Sequence, residues 1–227
     1  MKIVLGLGNP GARYARTRHN IGWVILDAIA KRLRADFEPG TGDYVVARGS
    51  WQGRKVVLIK PTTWMNNSGK AAKQALRHYG GGLEELLVLV DEIQFPIGKV
   101  KMTPAGSSGG HNGVESLLYY LGTENFPRLR LGVGNEFGQG GMVDYVLSEF
   151  RSNEQKRLEE MIEKGKDATL LWIAQGTAKA MNQVNALRRK KVSEDESRPS
   201  QEKNEQKSMT QPNDSEAENG NNISTDS

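Results

Sequence analysis

The sequence predicts an α/β fold in which helices alternate with the strands of a mixed, largely parallel sheet. Short apolar runs of strand type are repeatedly followed by segments with helical apolar spacing. The 227 residues are 37% hydrophobic, which is enough for the core of one mid-sized domain with additional segments. In such sheets, ligands bind beyond the carboxyl ends of the strands, so a site is expected in the loops that follow them.

The first part of the chain supplies three strands and two helices. The predicted strands cover residues 2–7, 44–48 and 55–59. Apolar residues at helical spacing run from Ile21 to Leu33, behind the candidate N-cap Asn20. Ser68 is a second candidate N-cap, for a helix that ends at Gly80.

The second part continues the alternation. Strands are predicted at residues 86–90 and 129–133. Between them, Val114, Leu117, Leu118 and Leu121 predict a helix that Gly122 ends. The pattern Ser152-x-x-Gln155 is similar to a capping box and predicts a helix that ends near Gly176. Thr177 is a candidate cap for a final helix that ends in the basic run at residues 188–191.

Charge divides the chain into a basic domain and an acidic tail. Residues 193–227 hold 9 of the 27 acidic and 3 of the 31 basic residues, so residues 1–192 carry a formal charge of +10. Such a surplus favours a phosphate-rich partner, although many basic surfaces only promote solubility. The tail lacks aromatic residues and cannot bury enough apolar surface to fold. We therefore predict one domain over residues 1–192 and a disordered polar acidic tail over residues 193–227.

Polar residues stand at the predicted strand-to-helix junctions. Asn9 follows the first strand, Asn66 precedes the helix that Ser68 begins, and Asp91 ends the strand at residues 86–90. His111 and Asn112 open the next helix. Each residue alone is typical of an ordinary turn or cap, but at least three of the junctions map to one edge of the sheet. We therefore expect them to converge.

Two glycine motifs match the consensus of a dinucleotide-binding loop and of a serine-hydrolase nucleophile turn, but their sequence context does not fit either site. Residues 6–11 fit G-x-G-x-x-G after a strand, but Pro10 lacks the N–H that a phosphate cradle uses, and no acidic residue ends a second strand at the required distance. Residues 106–110 fit G-x-S-x-G, but no strand precedes them and no triad histidine follows far downstream. We interpret both as loops.

Three histidines are candidates for a general base. His78 lies at a helix end, where it can interact with the terminal carbonyl groups. His111 lies at a helix start, where the dipole disfavours the imidazolium and favours a hydrogen-bonding role. His19 remains, and Asp91 is the natural carboxylate to orient its ring.

Several kinds of chemistry find no support in the sequence. The absence of cysteine excludes disulfides, thiolate zinc sites and a thiol nucleophile. No H-E-x-x-H motif or acidic calcium loop occurs, so we expect chemistry without metal or cofactor. The first apolar run, residues 3–5, is too short for a signal peptide, and no stretch approaches a membrane span. We expect a soluble cytoplasmic protein without a membrane partner.

Five ordered blocks of the sequence resemble the bacterial-type peptidyl-tRNA hydrolases. They are residues 6–22 with GLGNPG and TRHNIG, 61–69 (PTTWMNNSG), 91–92 (DE), 109–113 (GGHNG) and 128–134 (RLRLGVG). The resemblance covers about residues 1–190. It implies a single three-layer α/β/α domain around a twisted mixed sheet. It also implies hydrolysis of the ester between the peptide and the 3′ ribose of tRNA.

The resemblance further implies roles for individual residues. His19 would be the base that activates water, and Asp91 would orient it. The residues that would bind substrate, polarise its carbonyl group or line the site are Asn9, Tyr14, Met65, Asn66 and Asn112. An ester has a good leaving group, so activated water and amide donors at the oxyanion can suffice without a covalent nucleophile.

The resemblance identifies peptidyl-tRNA as the partner of a monomeric protein. It suggests Lys101 and Arg130 as a clamp for tRNA phosphates, and Lys99 is a further candidate from its charge alone. Without the resemblance, the alternation of Lys99 and Lys101 favours the solvent face of a strand over a phosphate contact. Two alternatives stay open: an RNA-binding module of the same fold without hydrolase activity, and a hydrolase for another ester or aminoacyl conjugate.

Overall fold

A seven-stranded mixed sheet forms the centre of the protein in a computed structural model, which describes the backbone of residues 1–195 and the side chains of residues 1–186. The strands are β1 (Lys2–Gly6), β2 (Glu38–Pro39), β3 (Tyr44–Trp51), β4 (Arg54–Pro61), β5 (Leu86–Glu92), β6 (Val100–Thr103) and β7 (Arg128–Gly132). Their order across the sheet is β2-β3-β4-β1-β5-β7-β6.

The four central strands of the sheet are parallel and its outer strands are antiparallel. Strand β1 pairs in parallel with β4 and β5, and β5 pairs in parallel with β7. Strand β3 runs antiparallel to β2 and β4, and β6 runs antiparallel to β7. The predicted mixed sheet with a parallel centre is confirmed, and the carboxyl ends of β4, β1, β5 and β7 meet at one edge.

Helices cover both faces of the sheet. They are α1 (Ile21–Leu33), α2 (Ser68–Tyr79), α3 (Asn112–Leu121), α4 (Met142–Val146), α5 (Gln155–Gln175) and α6 (Thr177–Asp195). Glycines 80, 122 and 176 end α2, α3 and α5, as predicted. Among the helices of the described residues, none is both long and apolar enough to cross a bilayer.

Strand alternation produces two hydrophobic cores, one on each face of the sheet. In β1, Val4 packs with Ile25 of α1 and Trp172 of α5 on one face. Its neighbours Ile3 and Leu5 point to the other face, towards the core that α2 and α3 cover. All five side chains are fully buried. The three-layer α/β/α domain is therefore confirmed.

Two of the predicted helix caps are wrong. Asn67, not Ser68, is the N-cap of α2, and Ser68 is its first residue, with a buried hydroxyl that has no hydrogen-bond partner among the described residues. Before α5, the carboxylate of Glu154 accepts the backbone N–H of Arg151 at 2.6 Å, and this takes the place of the predicted Ser152–Gln155 box.

The remaining differences from the predicted fold are short elements, and the predicted tail lies mostly outside the described residues. The sequence did not predict β2 or α4, and it indicated β6 only through the alternative in which Lys99 and Lys101 lie on a strand; each of the three elements has five residues or fewer. Helix α6 extends to Asp195. The predicted disordered tail over residues 193–227 lies outside the described residues from position 196 onward, so it stays a prediction, as does the domain boundary at residue 192.

Candidate active site

A cavity of about 270 Å³ opens at the sheet edge where the central parallel strands end. It is lined by seven residues that the sequence indicated: Asn9, His19, Met65, Asn66, Asp91, His111 and Asn112. They come from the loop after β1, the turn before α1, the turn before α2, the end of β5 and the start of α3. The strand-to-helix junctions therefore converge on one place, as parallel strands require.

His19 and Asp91 form a buried pair at the bottom of the cavity. His19 lies in a 3-10 turn, Arg18–Asn20, directly before α1. Its Nδ1 lies 2.9 and 3.0 Å from the two carboxylate oxygens of Asp91, and the two side chains are 11% and 1% exposed. Because a carboxylate only accepts, Nδ1 carries the proton and Nε2 of the neutral ring keeps its lone pair. This is the arrangement of a general base.

His111 is a second donor to Asp91, and the sequence did not predict this contact. Its Nε2 lies 2.8 Å from Oδ1 of Asp91. Its Nδ1 accepts the backbone N–H groups of Gly113 and Val114 at 3.1 and 3.3 Å, which caps α3. The acceptor role of Nδ1 places the proton on Nε2, so a neutral His111 donates to Asp91. The helix start gave the only sequence signal for this hydrogen-bonding role.

The shared carboxylate changes the acid–base properties of the site. Burial alone would raise the pKa of Asp91, but the electrostatic attraction of His19 and His111 and their hydrogen bonds to the carboxylate outweigh burial and lower that pKa. Burial would lower the pKa of His19, but the negative charge and hydrogen bond of Asp91 raise it above the ordinary value of 6.5. Asp91 is therefore ionised, and it stabilises the imidazolium form of His19.

The same three side chains are the metal-ligand candidates of this site. Ligand atoms of His19, Asp91 and His111 all lie within 4.8 Å of one another. However, Nδ1 of His19 and Nε2 of His111 each direct a proton, not a lone pair, at the carboxylate. The hydrogen-bonding pattern thus suits a carboxylate that holds two imidazole rings better than it suits a metal centre.

Asn9 is held from two sides in an orientation that exposes its amide N–H groups. Its Oδ1 accepts the backbone N–H of Met65 at 2.8 Å, which directs Nδ2 elsewhere. The side chain of Asn20 bridges the backbone of Asn9, with its Oδ1 accepting from N and its Nδ2 donating to O, both at 2.9 Å. Asn20 is the N-cap residue of α1, but its side chain makes no cap hydrogen bond. It positions Asn9 instead.

The remaining predicted site residues occupy the rim of the cavity. The exposed side chains of Asn66 and Asn112 lie there, and Met65 is buried between them and Asn9. Tyr14 is not among the lining residues; it packs edge-on against Trp64 at 5.8 Å, and the half-exposed Trp64 lines the cavity in its place. The predicted role of Tyr14 in lining the site stays a prediction.

Helix α4 supplies apolar side chains to the cavity lining, and Arg18 connects this helix to the turn that carries His19. Met142 and Val143 of α4 line the cavity and are 40% and 57% exposed. The guanidinium of Arg18, 1% exposed, donates to Glu154 at 2.7 Å and stacks on Tyr145 at 4.3 Å. Removal of one partner from such a buried pair leaves an uncompensated charge, so the pair fixes the geometry around His19.

The predicted phosphate contacts form a cluster beside the cavity rather than within it. Lys101 of β6 stands opposite Arg130 of β7 in the sheet register. Arg130 donates through Nε to the carboxylate of Glu92 at 2.8 Å, and Glu92 lines the cavity next to Asp91. Arg130 and Lys99 both lie over the ring of Phe95, at 4.7 and 3.7 Å from its centre. We call Lys99, Lys101 and Arg130 the cation cluster.

Comparisons with known proteins agree on one family. The family model described as Peptidyl-tRNA hydrolase matches residues 3–194. The peptidyl-tRNA hydrolase of Desulfitobacterium hafniense (strain Y51) is 42% identical over 185 residues, which are 82% of this chain and 100% of that protein. That of Aquifex aeolicus (strain VF5) is 44% identical over 166 residues, 72% and 85% of the two chains. The crystal structure of the Acinetobacter baumannii enzyme matches with a TM-score of 0.77 and 31% identity, covering 82% of this chain and 95% of that chain.

Proposed function

Because the chain belongs to the peptidyl-tRNA hydrolase family, we propose that it releases the peptide from peptidyl-tRNA with a water molecule that His19 activates. As a member of this family the protein is a carboxylic ester hydrolase. The observation that carries the proposed mechanism is the orientation of His19, whose Nδ1 is held by Asp91 while its ring lines the cavity. Neither a metal ion nor a covalent nucleophile takes part.

The reaction follows from the positions of these groups. Nε2 of His19 takes a proton from water as the water oxygen attacks the ester carbonyl carbon. Asp91 stabilises the imidazolium that forms, in line with the raised pKa of His19. The bond to the 3′ oxygen of the ribose then breaks, and the imidazolium returns its proton to that oxygen. The products are a tRNA with a 3′ hydroxyl and a peptide carboxylic acid, which loses the second proton of the attacking water to solvent and leaves as the carboxylate.

The asparagines supply the donors that this reaction needs. Nδ2 of Asn9 is free to donate to the carbonyl oxygen, because its Oδ1 is occupied by Met65. Its backbone is held by Asn20, so the donor is oriented before substrate arrives. Asn66 and Asn112 at the rim bind the substrate near the ester.

We further propose that the protein acts as a monomer in the cytoplasm, since one chain supplies the whole site and its substrate arises in translation.

Release of peptide from an N-blocked aminoacyl-tRNA tests this function directly. We expect the wild-type protein to release the peptide with multiple turnovers, and to act far more slowly on small esters with the same acyl group. A protein that binds tRNA without releasing peptide would instead be the RNA-binding module. Equal kcat/KM on small esters and peptidyl-tRNA would contradict the choice of substrate.

We propose that the cation cluster holds phosphates of the tRNA, which leads to a prediction about salt dependence. Replacement of Lys101 by alanine should raise KM severalfold and leave kcat nearly unchanged, because phosphate contacts position the substrate without entering the reaction. The slope of log KM against log salt concentration should become shallower by about 0.7–0.9, the value expected for one lost phosphate contact.

Lys55→Ala is the matched control for Lys101→Ala. Lys55 is exposed and lies near the start of β4, at the sheet edge opposite the site. It should change neither KM nor the salt slope. Lys101 is preferred to Arg130 for this test. Loss of Arg130 would also remove the partner of the Glu92 carboxylate, next to Asp91, and could change the active site itself. An unchanged salt slope in Lys101→Ala would remove Lys101 from the proposed contact.

A further inference from the structure

A second cavity of about 410 Å³ adjoins the active site along helix α3. Asn66 and Asn112 line both cavities, so the two spaces meet at this pair of amides. From there the second cavity extends towards Tyr119 and Tyr120 near the end of α3. Tyr119 is 81% exposed, the largest exposure among the exposed large hydrophobic residues of the described chain. We call this second cavity the α3 groove.

The walls of the α3 groove are fixed by close packing of α2 on α3. The hydroxyl of Tyr120 donates to Oδ1 of Asn67 at 3.1 Å. The backbone N–H of Gly69 donates to Oγ of Ser116 at 3.0 Å, and a Cβ on Gly69 would lie only 2.1 Å from the carbonyl oxygen of Ser116. The ring of Tyr119 packs edge-on against Tyr120 at 5.2 Å. The groove is therefore formed before any ligand binds.

The charge of the α3 groove is opposite to that of the cation cluster. No lysine or arginine is among its lining residues, and Glu115 is the charged group that lines it. Among the described residues, no cation forms an ion pair with Glu115. Lys70, which lies near Tyr120, is paired with Asp43 at 2.8 Å. A carboxylate beside an exposed aromatic ring attracts a cation and repels phosphate.

The sheet order separates the groove from the cation cluster. Asn66 follows β4, whereas Arg130 lies in β7, and β1 and β5 stand between these strands. Three strand spacings of about 4.8 Å separate β4 from β7 by about 14 Å, so Asn66 and Arg130 follow or belong to strands on different sides of the site. The ester of the substrate has a ribosyl oxygen on one side and an acyl group on the other. If phosphates lie on the cations, the acyl group extends towards Asn66 and Asn112.

The length of the α3 groove matches a short stretch of peptide. The eight residues from Asn112 to Tyr119 span roughly 10 Å of helix. An extended peptide covers about 3.4 Å per residue, so about three residues fit between the ester and Tyr119. Building on the proposed function, we propose that the α3 groove binds the peptide residues nearest the ester and favours lysine or arginine side chains, which reach Glu115 and the ring of Tyr119.

Three matched substrates test this preference. They are acetyl-X-X-alanyl-tRNAs on the same tRNA, in which both X residues are lysine, glutamine or glutamate. For the wild type we expect kcat/KM for the lysine substrate to exceed that for the glutamate substrate by about three- to tenfold, as expected for a partly exposed ion pair with a cation–π contact. Glu115→Gln should reduce this ratio, and Glu115→Lys should reverse it.

The aromatic part of the proposal has its own matched pair of variants. Tyr119→Ala should lower the advantage of the lysine substrate by about two- to fivefold, whereas Tyr119→Phe, which keeps the ring, should retain it. Glu115 and Tyr119 are both exposed, so the tyrosine variants and Glu115→Gln should unfold close to the wild-type temperature. Glu115→Lys places a cation in the first turn of α3, where the helix dipole disfavours it, and should lower the unfolding temperature, so its thermal unfolding is measured beside its kinetics. Binding of deacylated tRNA by Tyr119→Ala should equal that of the wild type.

The outcomes separate this inference from the function on which it rests. Equal wild-type kcat/KM on all three substrates would overturn the inference and leave the hydrolase activity intact. Weaker binding of deacylated tRNA by Tyr119→Ala would also overturn it, because the ring would then contact a nucleotide. Release of peptide from none of the three substrates would contradict the proposed function, and the inference with it.

Discussion

We expect His19→Ala to lower kcat for peptide release by about 10²- to 10⁴-fold, with a small change in KM. His19 is the base in the proposed reaction, and its removal leaves the attacking water without a proton acceptor. The oriented amide of Asn9 stays in place, since its contacts to Asn20 and Met65 do not involve the ring. Some activity above the uncatalysed rate should therefore persist. Single-turnover peptide release at saturating enzyme measures the loss in the chemical step.

His78→Ala is the matched control for His19→Ala, because it also removes an imidazole. His78 lies in the last turn of α2, outside the residues that line the cavity. It should keep wild-type kcat. The thermal unfolding of both variants shows whether the fold is intact, which matters because the carboxylate of Asp91 loses one donor in His19→Ala and keeps His111. A folded His19→Ala with more than a tenth of wild-type kcat would exclude His19 as the base.

Much of the fold was predictable because local sequence patterns determine its long elements. The continuous apolar run of β5 and the apolar spacing of α1 each indicate their element without knowledge of its neighbours. The missed elements are short and depend on tertiary contacts. Strand β6 has four residues and exists because β7 pairs with it, and α4 has five residues, too few to show a helical period.

The site was predictable to the extent that it depends on topology. Parallel strands end at one edge, so residues after β1, β4 and β5 converge regardless of their side chains. Apart from the His19–Asp91 pair, the specific partners were not predictable from local sequence. His111 and Asp91 are 20 positions apart, and Arg18 and Glu154 are 136 apart, so no local pattern links them. Asn20 occupies a cap position that fits both a helix cap and the bridge to Asn9, and only packing distinguishes the two.

We expect Asp91→Asn to lower kcat by roughly 10²- to 10⁴-fold and to move the acid limb of the pH profile to lower pH. His19 must be neutral to accept a proton, so kcat/KM rises with pH through its pKa, which Asp91 holds above 6.5 in the wild type. In the variant the charge that raises this pKa is gone, while burial, which lowers it, remains. The acid limb of the variant should therefore lie at lower pH than that of the wild type.

The amide of Asp91→Asn also disturbs the position of both imidazole rings. The lower pKa of His19 leaves more of this histidine neutral, but a displaced ring still cannot accept the proton efficiently, so the rate stays low. The carboxylate accepts from His19 and His111 at the same time, whereas an asparagine has one acceptor oxygen and an N–H₂ group that repels the second donor. Asp43→Asn, which removes an exposed carboxylate paired with Lys70, is the control and should leave the acid limb in place. If Asp91→Asn lost activity but kept the wild-type acid limb, the group that titrates would not be His19, and water activation would have to be assigned to another residue.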